Sequence, residues 1–148
     1  MERLWKQWAE APWHSWLRDH PLILRLFLDV AFKLPQDAVI RLLQPIRPLI
    51  LLPPIHVGRV VRIRAELKAG ANLLQLSDDL LMRDREEAMA VIAHELAHLC
   101  NVPTGNADKD DLLADALAAK WGFLPGLKSA LERDLGPGDP RTQALVTN

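Results

Sequence analysis

The chain predicts an α+β fold, mostly helical, with a short β-hairpin placed before a long helix. Three observations carry that expectation. Apolar residues recur at helical spacing over residues 21–34, 84–101 and 108–123. Residues 59–67 alternate instead, with Val61, Ile63 and Ala65 on one face and Arg62, Arg64 and Glu66 on the other. That is the pattern of a half-buried strand, and after a turn at 68–71 residues 72–76 read as its hairpin partner. The length, 148 residues, suits one domain with one core. Within that single domain we expect an N-terminal helical part (1–54), a part built around the long helix (55–135) and a C-terminal tail (136–148).

The elements follow in order from the punctuation. Residues 2–11 form a short helix with Leu4, Trp5 and Trp8 on one side, interrupted at Pro12. Four of the five tryptophans fall in the first sixteen residues, where they either cover the core or form a face for a membrane surface or partner. The face lacks the dense positive charge of a membrane-binding helix, so core packing is the favoured reading. Pro21 opens a helix that Pro35 closes, and residues 36–44 read as another short helix. Residues 45–54, apolar and broken by prolines, read as an extended wall rather than regular structure. Ser77 caps a short helical turn through Leu81. Asp84 then begins the long helix, with Glu87 at capping-box spacing and acids at the positive end of the helix dipole. Pro103 and Gly105 force a turn after it. A last helix spans 125–135, and the segment after it reads as loop.

Composition removes several classes. The net charge of −1 provides no basic field, so no nucleic-acid partner is expected. The single cysteine, Cys100, cannot form an internal disulfide and reads as core packing. The first sixteen residues lack the uninterrupted apolar region of a secretory signal. The best membrane window, 38–55, carries Arg41, Arg47 and four prolines. A cytoplasmic location is the resulting expectation.

The chemistry gathers in residues 91–99, where His94-Glu95-Leu96-Ala97-His98 lies inside an apolar helical run. At about 100° per residue, His94 and His98 share one helix face a turn apart, with Glu95 on the same side. Two imidazoles so placed can reach one cation, and the Glu can act on a water beside it. This is the spacing of zinc-dependent proteolysis. A buried helix with two satisfied histidines is the plainer alternative, but two His and a Glu among such neighbours are costly to bury without partners. The helix over 108–123 supplies candidates for a third ligand. Asp111 and Asp115 stand four apart on one face, and Ala118 and Gly122 continue the stripe with small residues that let a second helix approach. Asp111 is the favoured third ligand. Asp115 either accepts a hydrogen bond from the far nitrogen of a ligating His or is itself the ligand.

At these residues the chain resembles a family. HELAH followed by D-x-x-A-D-x-L-A-A-K-W-G-F-x-P resembles the gluzincin class of zinc metallopeptidases, in which a second helix carries an acidic ligand and, four residues on, a supporting Asp. Residues 76–98 are similar to minimal single-domain gluzincins, and the A-x-x-A-A portion resembles ImmA-like proteases. The resemblance covers roughly residues 59–125 and leaves the first fifty uncovered. It implies a small zincin-like domain in which His94, His98 and Asp111 hold Zn2+, Glu95 is general base and then acid, and Asp115 supports a ligand. The sequence departs from the pattern in three ways. Asp111 is one methylene shorter than the usual Glu, so the helices must come closer. The gap from His98 to Asp111 is short. The chain also has no Tyr to stabilise an oxyanion, leaving that role to His56 or an Arg.

The expected function is therefore zinc-dependent hydrolysis of a peptide or protein substrate, laid extended along the edge strand at 72–77. The rival is a non-catalytic module, with structural zinc or none, whose Trp-rich N-terminal helices bind a partner or, less favoured, a membrane surface.

Overall fold

Prolines set the punctuation of the N-terminal helices. Pro12 and Pro21 each stand in the first turn of a helical segment, where a missing N–H costs nothing. The computed structural model describes residues 1–53 and 70–145, which divide into two compact units, Met1–Met82 and Arg83–Asn148. The strand expected at 59–67, the start of the turn at 68–71 and the candidate His56 lie outside the described residues.

In the first unit, α1 spans Glu2–Ala9, a 3-10 helix Pro12–Asp19, α2 Pro21–Ala31 and α3 Gln36–Leu42. Their apolar faces meet in an aromatic core. Trp8 stacks on Phe27 at 4.6 Å between ring centres, and Trp5 meets both rings edge-on. Edge and offset contacts of this kind add to the area such rings bury. Trp5 and Trp8 are buried, as the core reading has it, whereas Trp16 is half-buried and Trp13 is exposed.

Strand β2, Asn72–Gln75, is present, and among the described residues it pairs with β1, Leu49–Leu52, in parallel, with Leu49 opposite Asn72 and Leu52 opposite Gln75. The proline-rich wall at 45–54 thus contains a strand. Leu49, Ile50 and Leu51 are fully buried, and a strand with both faces buried carries an apolar run rather than an alternation. Pro48 and Pro53 bound this run and do not interrupt it. A parallel pair needs a long crossover, and the chain between residues 52 and 72 is long enough.

The edge of β1 turned away from β2 is closed by side chains. Trp8 Nε1 donates to Leu49 O at 2.8 Å, and Trp16 Nε1 donates to Leu51 O at 3.2 Å. The Leu51 N–H donates to His14 Nε2 at 3.0 Å. His14 Nδ1 in turn lies 2.7 Å from Trp8 O. The ring therefore carries its proton on Nδ1, donates there and accepts at Nε2. Burial pushes the His14 pKa down, against the opposing effect of the hydrogen bond to Trp8.

The second unit is helical. After a 3-10 turn at Asp78–Met82, which belongs to the first unit, α4 runs Arg85–Cys100, α5 Ala107–Ala118, α6 Leu124–Asp134 and α7 Pro140–Ala144. Helix α4 packs against α5 and α6. Asp84 stands at the N-cap of α4 as expected, but its side chain makes no capping bond. Nor does Glu87 complete a capping box. It turns to α6, accepting from Ser129 Oγ at 2.6 Å and lying 3.1 Å from Arg133. Gly126 allows this close approach, because a Cβ there would run into the Glu86 carbonyl.

The helix read over 108–123 ends earlier. Gly122 takes a left-handed conformation, with φ of 93°, inside a π-turn at Ala119–Phe123, and separates α5 from α6. Gly136, with φ of 90°, closes α6 through N–H bonds to the Leu131 and Glu132 carbonyls. Asp139 then caps α7 by accepting from Arg141 N, and Pro140 sits in its first turn. The segment expected to be a loose tail therefore includes a short, capped helix. The described residues form helices with one two-stranded sheet, α+β in the coarse sense, and no described helix is long and apolar enough to cross a membrane.

Candidate metal centre

His94 and His98 project from the same face of α4, as their spacing requires. Their Nε2 atoms stand 3.0 Å apart. His98 Nε2 lies 3.2 Å from Asp111 Oδ1 on α5. Each of His94, His98 and Asp111 offers a ligand atom, and all three atoms lie within 4.8 Å of one another, so the group could hold a metal ion. Donor atoms on a tetrahedral zinc with bonds of about 2.0–2.1 Å stand about 3.3 Å apart, close to the two shortest separations seen here. Two imidazole nitrogens and a carboxylate oxygen are also a donor set that zinc accepts.

The two acids face different histidines. Asp111 Oδ1 faces His98, whereas Asp115 Oδ1 sits 2.7 Å from His94 Nδ1, the nitrogen on the far side of the ring. Nδ1 has no well-aligned hydrogen-bond partner, and Asp115 supplies its close charged contact. A proton held on Nδ1 by that carboxylate leaves the Nε2 lone pair free for a cation. Asp115 is buried, and it lies one turn inside α5, where solvent cannot stabilise a charge. Burial alone would raise its pKa. The close contact with His94 and the hydrogen bonds from Arg141 outweigh that effect and hold the carboxyl below its ordinary value.

Arg141 was not singled out by sequence reasoning. Its Nε donates to Asp115 Oδ2 at 2.7 Å and one terminal nitrogen donates to Asp115 Oδ1 at 2.9 Å. The other terminal nitrogen donates to Asp111 Oδ2 at 2.8 Å. These hydrogen bonds raise the Arg141 pKa, against the effect of its own burial. Two signals in the sequence could have found it. Asp139-Pro140 reads as an N-cap followed by a first-turn proline, which starts a helix at a place read as loop. An Asp four residues beyond Asp111 on an apolar helix also demands a cationic partner.

Glu95 follows His94 on α4 and is half-buried. The loop before α5 is held locally: Thr104 donates to Asp110 Oδ1 from both its N–H and its hydroxyl, and these bonds lower the Asp110 pKa. Asp110 is thus engaged in the loop, while Asp111 and Asp115 point to the histidines. Comparison with family models, with curated proteins and with solved structures finds no match.

Proposed function

We propose that the chain is a zinc-dependent metallopeptidase with a zincin-like catalytic part, in the manner of the gluzincins. The observation that carries the reading is the convergence of His94, His98 and Asp111 from two helices, with Asp115 set against the far nitrogen of His94. Zinc held there would polarise a scissile carbonyl and make a nearby water more acidic. The chain's own residues do the rest. His94 and His98 present their Nε2 lone pairs, Asp111 presents Oδ1, and Asp115 keeps the His94 proton on Nδ1. Glu95 accepts a proton from the attacking water and returns it to the leaving amine. With three protein ligands, a coordination position remains for solvent or substrate, as a catalytic site requires.

The test is metal content and peptide hydrolysis of the purified protein and two variants. We expect one zinc per chain in the unaltered protein. Glu95→Gln should retain that zinc and lose turnover by about 10²–10⁴-fold, the usual worth of a positioned acid–base group. His94→Ala should lose the metal. A protein that takes up no zinc, or a Glu95→Gln variant that still hydrolyses peptide, would remove the proposal and favour a non-catalytic module.

A further inference from the structure

We propose that Arg141 is the positioning residue of the metal centre, and that it makes Asp111 a one-oxygen ligand. The proposal rests on the metal reading above. A carboxylate beside a cation can bind through one oxygen or two, and a second bound oxygen takes up the position that solvent or substrate needs. Here the two oxygens of Asp111 are already distinguished. Oδ1 lies 3.2 Å from His98 Nε2, on the side of the two imidazoles, whereas Oδ2 accepts from an Arg141 terminal nitrogen at 2.8 Å. The Arg141 bond removes Oδ2 from competition.

The same guanidinium fixes the second acid. Nε and a terminal nitrogen grip Asp115 Oδ2 and Oδ1, at 2.7 and 2.9 Å, in the paired geometry that only a planar fork provides. That grip fixes the plane of Asp115 and so the aim of its Oδ1 at His94 Nδ1. One side chain from α7 thereby sets the direction of two carboxylates on α5. Lysine cannot replace it, because a single ammonium lacks the fork that grips one acid in parallel while reaching the other. Arg141 is placed for this by the turn at Gly136 and by the Asp139 cap, and Thr142, the next residue, ties α7 to the end of α6 by donating to Gly136 O at 3.0 Å.

The experiment uses the full chain with Arg141→Gln and Arg141→Lys beside the unaltered protein. Zinc affinity is measured by chelator competition, and Co2+ is added as a spectroscopic probe of coordination number. Loss of a partner that orients ligands typically weakens metal binding about 10–100-fold, and we expect that range for Arg141→Gln. Arg141→Lys keeps the charge, and it should recover only part of the affinity. In both variants the visible Co2+ absorption should weaken as Asp111 closes with its second oxygen and the coordination number rises. A purely structural role for Arg141 would not move that band in a folded variant. Unchanged affinity and an unchanged Co2+ spectrum in Arg141→Lys would overturn the proposal while leaving the metal site standing. Failure of the unaltered protein to bind either ion would overturn both.

Discussion

The two units each bury a histidine with a polar partner at both ring nitrogens, and the two rings differ in what those partners are. His14 gives its Nδ1 proton to the Trp8 carbonyl and takes the Leu51 N–H at Nε2, so backbone groups from two elements satisfy both nitrogens. His94 has the Asp115 carboxylate at Nδ1 and the second imidazole at Nε2. A ring held between backbone groups is a brace, because nothing can displace those partners without unfolding the segment. A ring held by an acid on one side, with a lone pair facing other donors, is arranged to accept a cation. Burial alone does not distinguish them.

Substituting the two rings separates the roles most strongly. His94→Ala should abolish stoichiometric zinc binding, while His14→Ala should leave zinc binding intact, both read by elemental analysis of folded protein. His14→Ala should instead lower stability by about 3 kcal/mol in denaturant unfolding, since it leaves the Leu51 N–H unpaired, strips the Trp8 carbonyl of one of its two donors and opens a void. Loss of zinc on His14→Ala would erase the distinction between brace and ligand.

A milder change acts on the partner. Asp115→Asn keeps the shape and removes the charge that holds the His94 proton, and zinc affinity should fall by about 10–100-fold in chelator competition. No equivalent substitution exists for His14, whose partners are main-chain atoms. Unaltered affinity in Asp115→Asn would mean that Asp115 serves Arg141 and not the metal.

The smallest effect is in pH, in the metal-free protein. The His14 pKa is lowered in the folded state, so the unfolded chain takes up its proton first as pH falls past about 6.5. The first unit should weaken from there downward. The Asp115 pKa is also lowered, but for a carboxylate this means a contribution that is full above about 3.9 and fades only below it. Tryptophan fluorescence reports mostly the first unit, because Trp5, Trp8, Trp13 and Trp16 lie there. Stability followed that way should decline at a pH where amide exchange in α5 is still unaffected. A common onset below pH 4 would contradict the neutral, buried state of His14.

The same contrast separates what was legible in the sequence from what was not. His94, His98, Asp111 and Asp115 could be assigned to facing stripes because helical spacing converts sequence distance directly into direction. The core placement of Trp5 and Trp8 was readable for the same reason. Strand β1 was not, since its prolines look like breakers when they are boundaries, and its partner lies beyond a long crossover. The capping box at Asp84 failed because α6, distant in sequence, offered Glu87 better partners in Ser129 and Arg133. Arg141 reaches Asp115 across 26 residues and two chain reversals, and local periodicity carries no trace of that closure.

The tryptophan and histidine side chains along β1 occupy the positions where a further strand would dock. A chain shortened by its first nineteen residues would bare a flat, aliphatic ribbon with open main-chain donors and acceptors. Another molecule could then zip onto that ribbon, and the shortened protein would be prone to fibrillar self-assembly.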